Sequence, residues 1–247
     1  MNFSIFIFKK FVIFKNLKFI IMDFYNLDHS FCEINIYGKL PEYMNSLSSL
    51  FLSFFGCVGI IYNNKNSNIN NIYSGLIING ISSFMYHFTN QIGWGLLDRF
   101  SMILITIPCF NIITDLFKLT KIKKEILRII INIYLSVLMT VTGLHQEALF
   151  NILFSFYLIG LCIFMYIIKY NNKYYSIPKK IINNGIFGTF LIIFAVIFWI
   201  ITEKLCYKFS FIKYMYGHAF WHFGVSYGGY LISLVPYYYY NKLITFV

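Results

Sequence analysis

Five polar residues in the apolar part of this chain have types and spacings that could support chemistry. Ser83 precedes His87 by four residues, and His218 precedes His222 by the same interval, so each pair would project from one helix face. Neutral imidazoles suit Zn²⁺, and three protein nitrogens with a fourth position left to water are typical of catalytic zinc. Asp98 would then accept a proton from that water and return it to a leaving group. Ser83 would hold the water or stabilise a developing oxyanion.

The composition is that of a membrane protein. Hydrophobic residues make up 59% of the 247 residues and charged residues only 12%, with a mean hydropathy of +0.68. So little polar surface cannot coat a soluble domain of this size. The apolar runs lack the two-residue alternation of barrel strands, so we predict an all-α membrane protein. The formal charge of +11 comes largely from lysines in the connections, which indicates topology rather than a nucleic-acid partner.

Seven apolar segments have lengths suited to a hydrocarbon core about 30 Å thick. They predict a single seven-transmembrane helix bundle, with a turn at 93–96 and helices over 46–62, 73–92, 97–117, 126–144, 148–168, 182–202 and 217–240. We assign this bundle to one domain, 28–242, after an N-terminal extension of uncertain role, 1–27.

The distribution of basic residues predicts the orientation of the bundle. Eleven Lys and Arg residues fall on the face that includes the C-terminal tail and five on the opposite face, leaving aside four lysines in the first twenty residues. The positive-inside rule then places the C-terminus in the cytosol and the N-terminus in the lumen or outside the cell. All five candidate site residues would lie towards the luminal side.

The five candidates also have a simpler interpretation. A single histidine in a helix bundle is more often a hydrogen-bonding partner of another helix than a metal ligand, and His145 is expected to be one of these. An ionisable group within a span, however, costs at least a few kcal/mol unless it is paired or hydrated. Their common membrane depth therefore favours a metal that compensates for their burial.

Two stretches of the chain resemble the alkaline ceramidase family, within a superfamily of seven-helix hydrolases that also contains adiponectin-receptor-like proteins. The segment Gly80–Met102, GISSFMYHFTNQIGWGLLDRFSM, has the family's Ser, a His four residues later, an Asp eleven beyond that, and a following Met. The segment Gly217–Leu231, GHAFWHFGVSYGGYL, resembles the closing histidine motif. Weaker matches are FCEINI at Phe31–Ile36 and PEYMNS at Pro41–Ser46.

The resemblance implies a membrane amidase that cleaves ceramide to sphingosine and a fatty acid. In it Zn²⁺ would be held by His87, His218 and His222, with Asp98 handling protons and Ser83 stabilising the oxyanion. The endoplasmic reticulum or the Golgi is the implied location. The sequence leaves the oligomeric state and the acyl-chain preference open.

The resemblance also implies a Ca²⁺ site near the zinc, with oxygen ligands from Glu33, Asn35 and Glu42. The family's acidic residue two positions before its Cys is replaced here by Ser30, and the interval from Asn35 to Glu42 is shorter. The alternative is that Glu33 and Glu42 belong to a solvated luminal loop.

The resemblance bears on three further positions. The family joins the Cys of its first motif to a Cys before the last helix, which implies a disulfide between Cys32 and Cys206. Both would lie in an oxidising compartment by the predicted orientation. Arg99 stands where the family commonly has an acidic residue.

Three functions remain open at this stage. The first is a zinc-dependent ceramide amidohydrolase. The second is a related seven-helix esterase or phospholipase, because the same site would attack an ester. The third is a seven-helix receptor that is not an enzyme and whose metal is structural. A structural zinc would be closed by a fourth protein ligand, which separates it from a catalytic one.

Overall fold

Seven long α-helices account for most of the regular structure in the part of the chain that the structure describes. The computed structural model describes residues 31–33, 41–62, 67–116, 120–144, 146–171 and 176–244. Its helices are α1 (Tyr43–Tyr62), α2 (Ser67–Thr89), α3 (Ile92–Leu116), α4 (Lys121–Gly143), α5 (Glu147–Tyr170), α6 (Lys179–Leu205) and α7 (Gly217–Ile244), with a 3₁₀ turn, Ile212–Met215, before α7. The predicted all-α fold class is confirmed, and the extension 1–27 lies outside the described residues.

Most of the helices have the length and composition of membrane spans. Five of them, α1, α3, α4, α5 and α6, are long and apolar enough to cross a membrane, and exposed side chains such as Phe156, Ile163 and Phe190 cover their outer faces. The remaining two, α2 and α7, have 23 and 28 residues and are not among these five. They carry the polar residues of the Ser and His motifs. The chain is therefore a membrane protein, and a crossing by α2 and α7 stays a prediction.

The boundary between α2 and α3 differs from the prediction. Helix α2 ends at Thr89 because Asn90 adopts the left-handed conformation, with φ 53°, and donates its N–H to the Tyr86 carbonyl at 2.6 Å. The predicted turn at 93–96 is wrong: these residues form the first turn of α3, where Gly95 leaves room for the Tyr86 ring. Asp98 therefore lies within the second turn of α3.

Glycines bring the helices around the candidate site into close contact. A Cβ at Gly80 would lie 2.6 Å from the Ser53 nitrogen and 2.9 Å from the Ser49 oxygen, so α1 and α2 meet backbone to backbone. A Cβ at Gly228 would lie 2.6 Å from the Gly188 oxygen, which shows the same closeness between α7 and α6. Since α7 also packs along α1, and α3 along α2, four helices surround the residues selected from the sequence.

Candidate metal centre

Three histidine rings from two helices meet in the interior of the bundle. The ring centroids are 4.7 Å apart for His87 and His218, 5.2 Å for His87 and His222, and 4.6 Å for His218 and His222. Each ring offers one nitrogen within 4.8 Å of the other two. The residues are 2%, 6% and 3% exposed, so the cluster is removed from solvent. The four-residue interval in α7 and the packing of α7 near α2 are what bring the rings together.

A carboxylate fixes the orientation of His87. Its Nδ1 lies 2.7 Å from Glu42 Oε2. Because a carboxylate accepts hydrogen bonds, Nδ1–H of a neutral ring donates to it and Nε2 keeps its lone pair. Metal-binding histidines generally have such a partner on the second nitrogen, which fixes the tautomer and raises the basicity of the ligand. Glu42 is itself held by Phe31 N–H at 2.9 Å and by Asn45 Nδ2 at 3.1 Å.

A serine hydroxyl fixes the orientation of His222. Ser48 Oγ lies 2.9 Å from His222 Nδ1 and also donates to the Asn45 carbonyl at 3.0 Å. Since its one proton is used there, Ser48 Oγ accepts from Nδ1–H, and His222 Nε2 keeps its lone pair. Two of the three imidazoles are thus arranged with Nε2 available to a metal. Three neutral nitrogen donors in a buried site form a set that can hold a transition-metal ion, of the kind that Zn²⁺ prefers.

Ser83 and Asp98 lie at the same site. Ser83 Oγ is 3.4 Å from His222 Nε2 and 3.1 Å from Ser49 Oγ, and the residue is 1% exposed. The Asp98 carboxylate is held from α2, where Asn79 Nδ2 lies 2.6 Å from Asp98 Oδ1. Both residues line the cavity that the three histidines face.

This cavity is lined mainly by apolar side chains. Its volume is about 510 Å³, within the range of small-molecule binding sites. The lining includes the five candidate residues together with apolar side chains such as Ile105, Ile112, Phe164, Ile192 and Ile232. Arg99, only 8% exposed, also lines it. The arrangement suits a ligand with one polar group and long hydrocarbon chains.

The short segment 31–33 covers the histidines. The Phe31 ring centroid is 4.2 Å from that of His218 and 5.0 Å from that of His87. A disulfide joins Cys32 to Cys206 after α6, with Cα atoms 6.2 Å apart, as the resemblance implies. These two cysteines and Glu203 form a second group of potential metal ligands, but the sulfurs are bonded to each other and provide no thiolate.

Both acidic residues of the implied calcium site are buried. Glu33 is 3% exposed and Glu42 2%, so the alternative of a solvated loop is wrong for them. Glu33 accepts N–H groups at the start of α1, from Met44 at 2.6 Å and Asn45 at 2.8 Å. Burial raises the pKa of Glu33, and these two bonds oppose the rise. Asn35 lies outside the described residues.

Several residues at the site are not singled out by their sequence pattern. The resemblance assigns Glu42 to calcium, yet it holds His87. No motif in the sequence marks Phe31, Ser48 or Asn79 as a site residue. The spacing of Asn79 is the one available signal, because it precedes Ser83 by four residues and therefore lies on the same face of α2.

One comparison with known proteins finds a relationship. A sequence model of the family described as Ceramidase matches residues 26–243. A search of curated proteins finds no match.

Proposed function

Because the chain belongs to the ceramidase family, as the match over 26–243 shows, we propose that it is a zinc-dependent amidohydrolase that cleaves ceramide to sphingosine and a free fatty acid. Membership implies a membrane hydrolase that acts on ceramide. The observation that carries the finer assignment is the meeting of His87, His218 and His222 in the wall of a largely apolar cavity.

The identity of the ion is proposed from its donors. When bound, Zn²⁺ lowers the pKa of water to near neutrality and polarises a carbonyl oxygen. His87, His218 and His222 would hold it. Among the described residues, the group whose ligand atoms lie within 4.8 Å of one another contains these three and no fourth, which supports a catalytic rather than a structural ion.

The protein's own side chains would carry out the proton transfers, stabilise the oxyanion and bind the substrate. A carboxylate oxygen of Asp98 accepts a proton from the attacking water and then donates it to the amide nitrogen as the C–N bond breaks. The Ser83 hydroxyl donates a hydrogen bond to the oxygen on which negative charge develops. The apolar wall holds the acyl and sphingoid chains and excludes water from them.

We retain Ca²⁺ as a second proposed ion, with Glu33, Asn35 and Glu42 as ligands. Two buried carboxylates close to the histidines provide oxygen donors of the kind a hard cation prefers. Both already accept hydrogen bonds from the protein, so a bound ion would share their oxygens with those N–H groups.

The function is tested by mass spectrometry of the products that purified protein releases from a long-chain ceramide. We expect equal amounts of sphingosine and fatty acid, loss of both with a zinc-selective chelator, and recovery on adding Zn²⁺. EGTA, which prefers Ca²⁺, is expected to lower the rate if the second ion binds. Release of fatty acid from a glycerol ester but not from ceramide would favour the esterase alternative. No release from either lipid would contradict the proposal.

We also propose that Cys32 and Cys206 face the lumen of the endoplasmic reticulum or Golgi, with the C-terminus in the cytosol. The disulfide between them and the excess of basic residues on the opposite face support this orientation. In sealed microsomes we expect a thiol reagent to modify neither cysteine until the protein is denatured and reduced. Modification of both without reductant would contradict the orientation or the pairing. The Cys32→Ser, Cys206→Ser double variant identifies the labelling that comes from the free cysteines Cys57, Cys109 and Cys162.

A further inference from the structure

The side chain of Asn79 joins α2 to the turn of α3 that carries Asp98. Asn79 Nδ2 lies 2.6 Å from Asp98 Oδ1, 3.1 Å from the Asp98 main-chain oxygen and 2.8 Å from Ser101 Oγ. Asn79 is 5% exposed and lines the same cavity as Ser83 and His87, at intervals of four residues along α2. The proposed reaction assigns it no role.

The contacts determine which way the Asn79 amide faces. A carboxylate and a main-chain carbonyl only accept hydrogen bonds, and the Ser101 hydroxyl already donates to the Asp98 carbonyl at 2.6 Å. If the Asn79 amide were rotated by 180°, its oxygen would face these oxygen atoms, and two acceptors cannot form a hydrogen bond with each other. The NH₂ group therefore faces α3 and donates to Asp98 Oδ1, which is a charge-assisted hydrogen bond when Asp98 is ionised.

We infer that Asn79 is a positioning residue that holds Asp98 in place to protonate a leaving amine, and that it thereby makes this site suited to amides rather than to activated esters. The inference rests on the proposed function. A side chain with a single donor contact can rotate about Cβ–Cγ, whereas Asn79 links the carboxylate to its own main chain and to Ser101.

The step that depends on this geometry is the proton transfer to nitrogen. The water oxygen bonds to the carbonyl carbon, and one water proton passes to the Asp98 carboxylate. That proton moves to the amide nitrogen as the C–N bond breaks, which leaves a carboxylic acid and a primary amine and returns Asp98 to its ionised form. A displacement of about 1 Å in such a group costs on the order of 100-fold in rate.

The leaving group decides how much this step matters. An alkylamine departs from a tetrahedral intermediate only after its nitrogen gains a proton, whereas p-nitrophenolate departs as a stable anion. Misplacing Asp98 should therefore slow amide hydrolysis more than hydrolysis of a p-nitrophenyl ester. A loss of general packing around α2 would slow both reactions to the same extent.

The test compares three variants on a long-chain ceramide and on a p-nitrophenyl ester of a fatty acid. Asn79→Leu removes the donor at similar size, and Asn79→Gln keeps an amide. Ser82→Ala is the matched control, because Ser82 is 1% exposed and its hydroxyl donates only to carbonyls of its own helix, those of Ile78 and Asn79.

We expect Asn79→Leu to lower kcat for ceramide by about 10- to 100-fold, with KM within about twofold. Ester hydrolysis should fall by a clearly smaller factor, because both substrates need the proton transfer from water to Asp98 but only the amide needs a proton on its leaving nitrogen. Asn79→Gln should recover part of the loss, and Ser82→Ala should leave both rates near those of the wild type. If Asn79→Leu does not fold, Asn79→Gln and Asn79→Ser allow the same comparison.

Two outcomes would overturn the inference while leaving the proposed function intact. One is an equal loss on both substrates, which would indicate a structural role for Asn79. The other is ceramide kinetics unchanged by Asn79→Leu. An unmodified protein that releases nothing from ceramide would instead contradict the proposed function, and the inference would fall with it.

Discussion

Replacing His222 by Ala is expected to remove the bound zinc and reduce ceramide hydrolysis by at least about 100-fold. Loss of a supporting partner of a metal-bound histidine already costs about 10- to 100-fold in metal affinity, so loss of a ligand should cost more. His222 is 3% exposed and its Nδ1 is hydrogen-bonded to Ser48, so Nε2 is the nitrogen that His222 offers to a metal. Elemental analysis of purified protein, alongside product release, measures both effects.

Two further variants make this experiment specific. Phe223→Ala removes the adjacent ring of α7, which is 36% exposed, and should retain zinc and activity. Glu42→Gln keeps a hydrogen-bond acceptor near His87 but removes the charge, so an intermediate loss of metal is expected. Stoichiometric zinc in the His222→Ala protein would show that the ion binds elsewhere, and the proposed centre would have to be abandoned.

Helix periodicity and membrane burial together predict the members of the histidine cluster. A four-residue interval places two side chains on one face of a helix wherever that helix lies in the bundle. The intervals Ser83 to His87 and His218 to His222 therefore predict that each pair shares a helix face, whatever the tertiary contacts are. Membrane burial supplied the second constraint, since such groups are costly in lipid and must face one another or a cavity.

The supporting residues could not be found in the same way. The contact of Ser48 with His222 joins residues 174 positions apart, and that of Glu42 with His87 joins residues 45 apart. No periodicity within one helix specifies either pairing, because each depends on how α1 packs against α2 and α7. The resemblance assigns Glu42 to calcium, and its contact with His87 emerges only from the fold.

Helix boundaries and loops were also predicted less well than helix interiors. Glycines on both sides of Trp94 indicate a turn locally, but packing of Gly95 against the Tyr86 ring favours an early start of α3. Glu33 is a charged residue outside the predicted helices, which favours an exposed position. It is nevertheless buried, because it accepts the N–H groups that the first turn of α1 would leave without partners. Tertiary contacts override the local signal in both places.

Replacing Asp98 by Asn should separate proton transfer from metal binding. The amide has nearly the same size and can still bond to its neighbours, but it cannot accept a proton from water at neutral pH. We expect kcat for ceramide to fall by about 100- to 10,000-fold, the range for loss of a general acid–base group, while zinc stays stoichiometric and KM changes little. Steady-state kinetics with elemental analysis of the same sample provides the measurement.

Asp98→Glu provides the control for the Asp98→Asn result. It keeps a carboxylate but moves it by one methylene away from the Asn79 amide, so partial activity is expected if the role is proton transfer. Loss of zinc in Asp98→Asn would instead make Asp98 a determinant of metal binding. If Asp98→Asn turned over ceramide within a few fold of the wild-type rate, Asp98 would have no role in proton transfer. The proton would then have to be handled by another group that lines the cavity, and among the described residues Glu203 is the remaining carboxylate there.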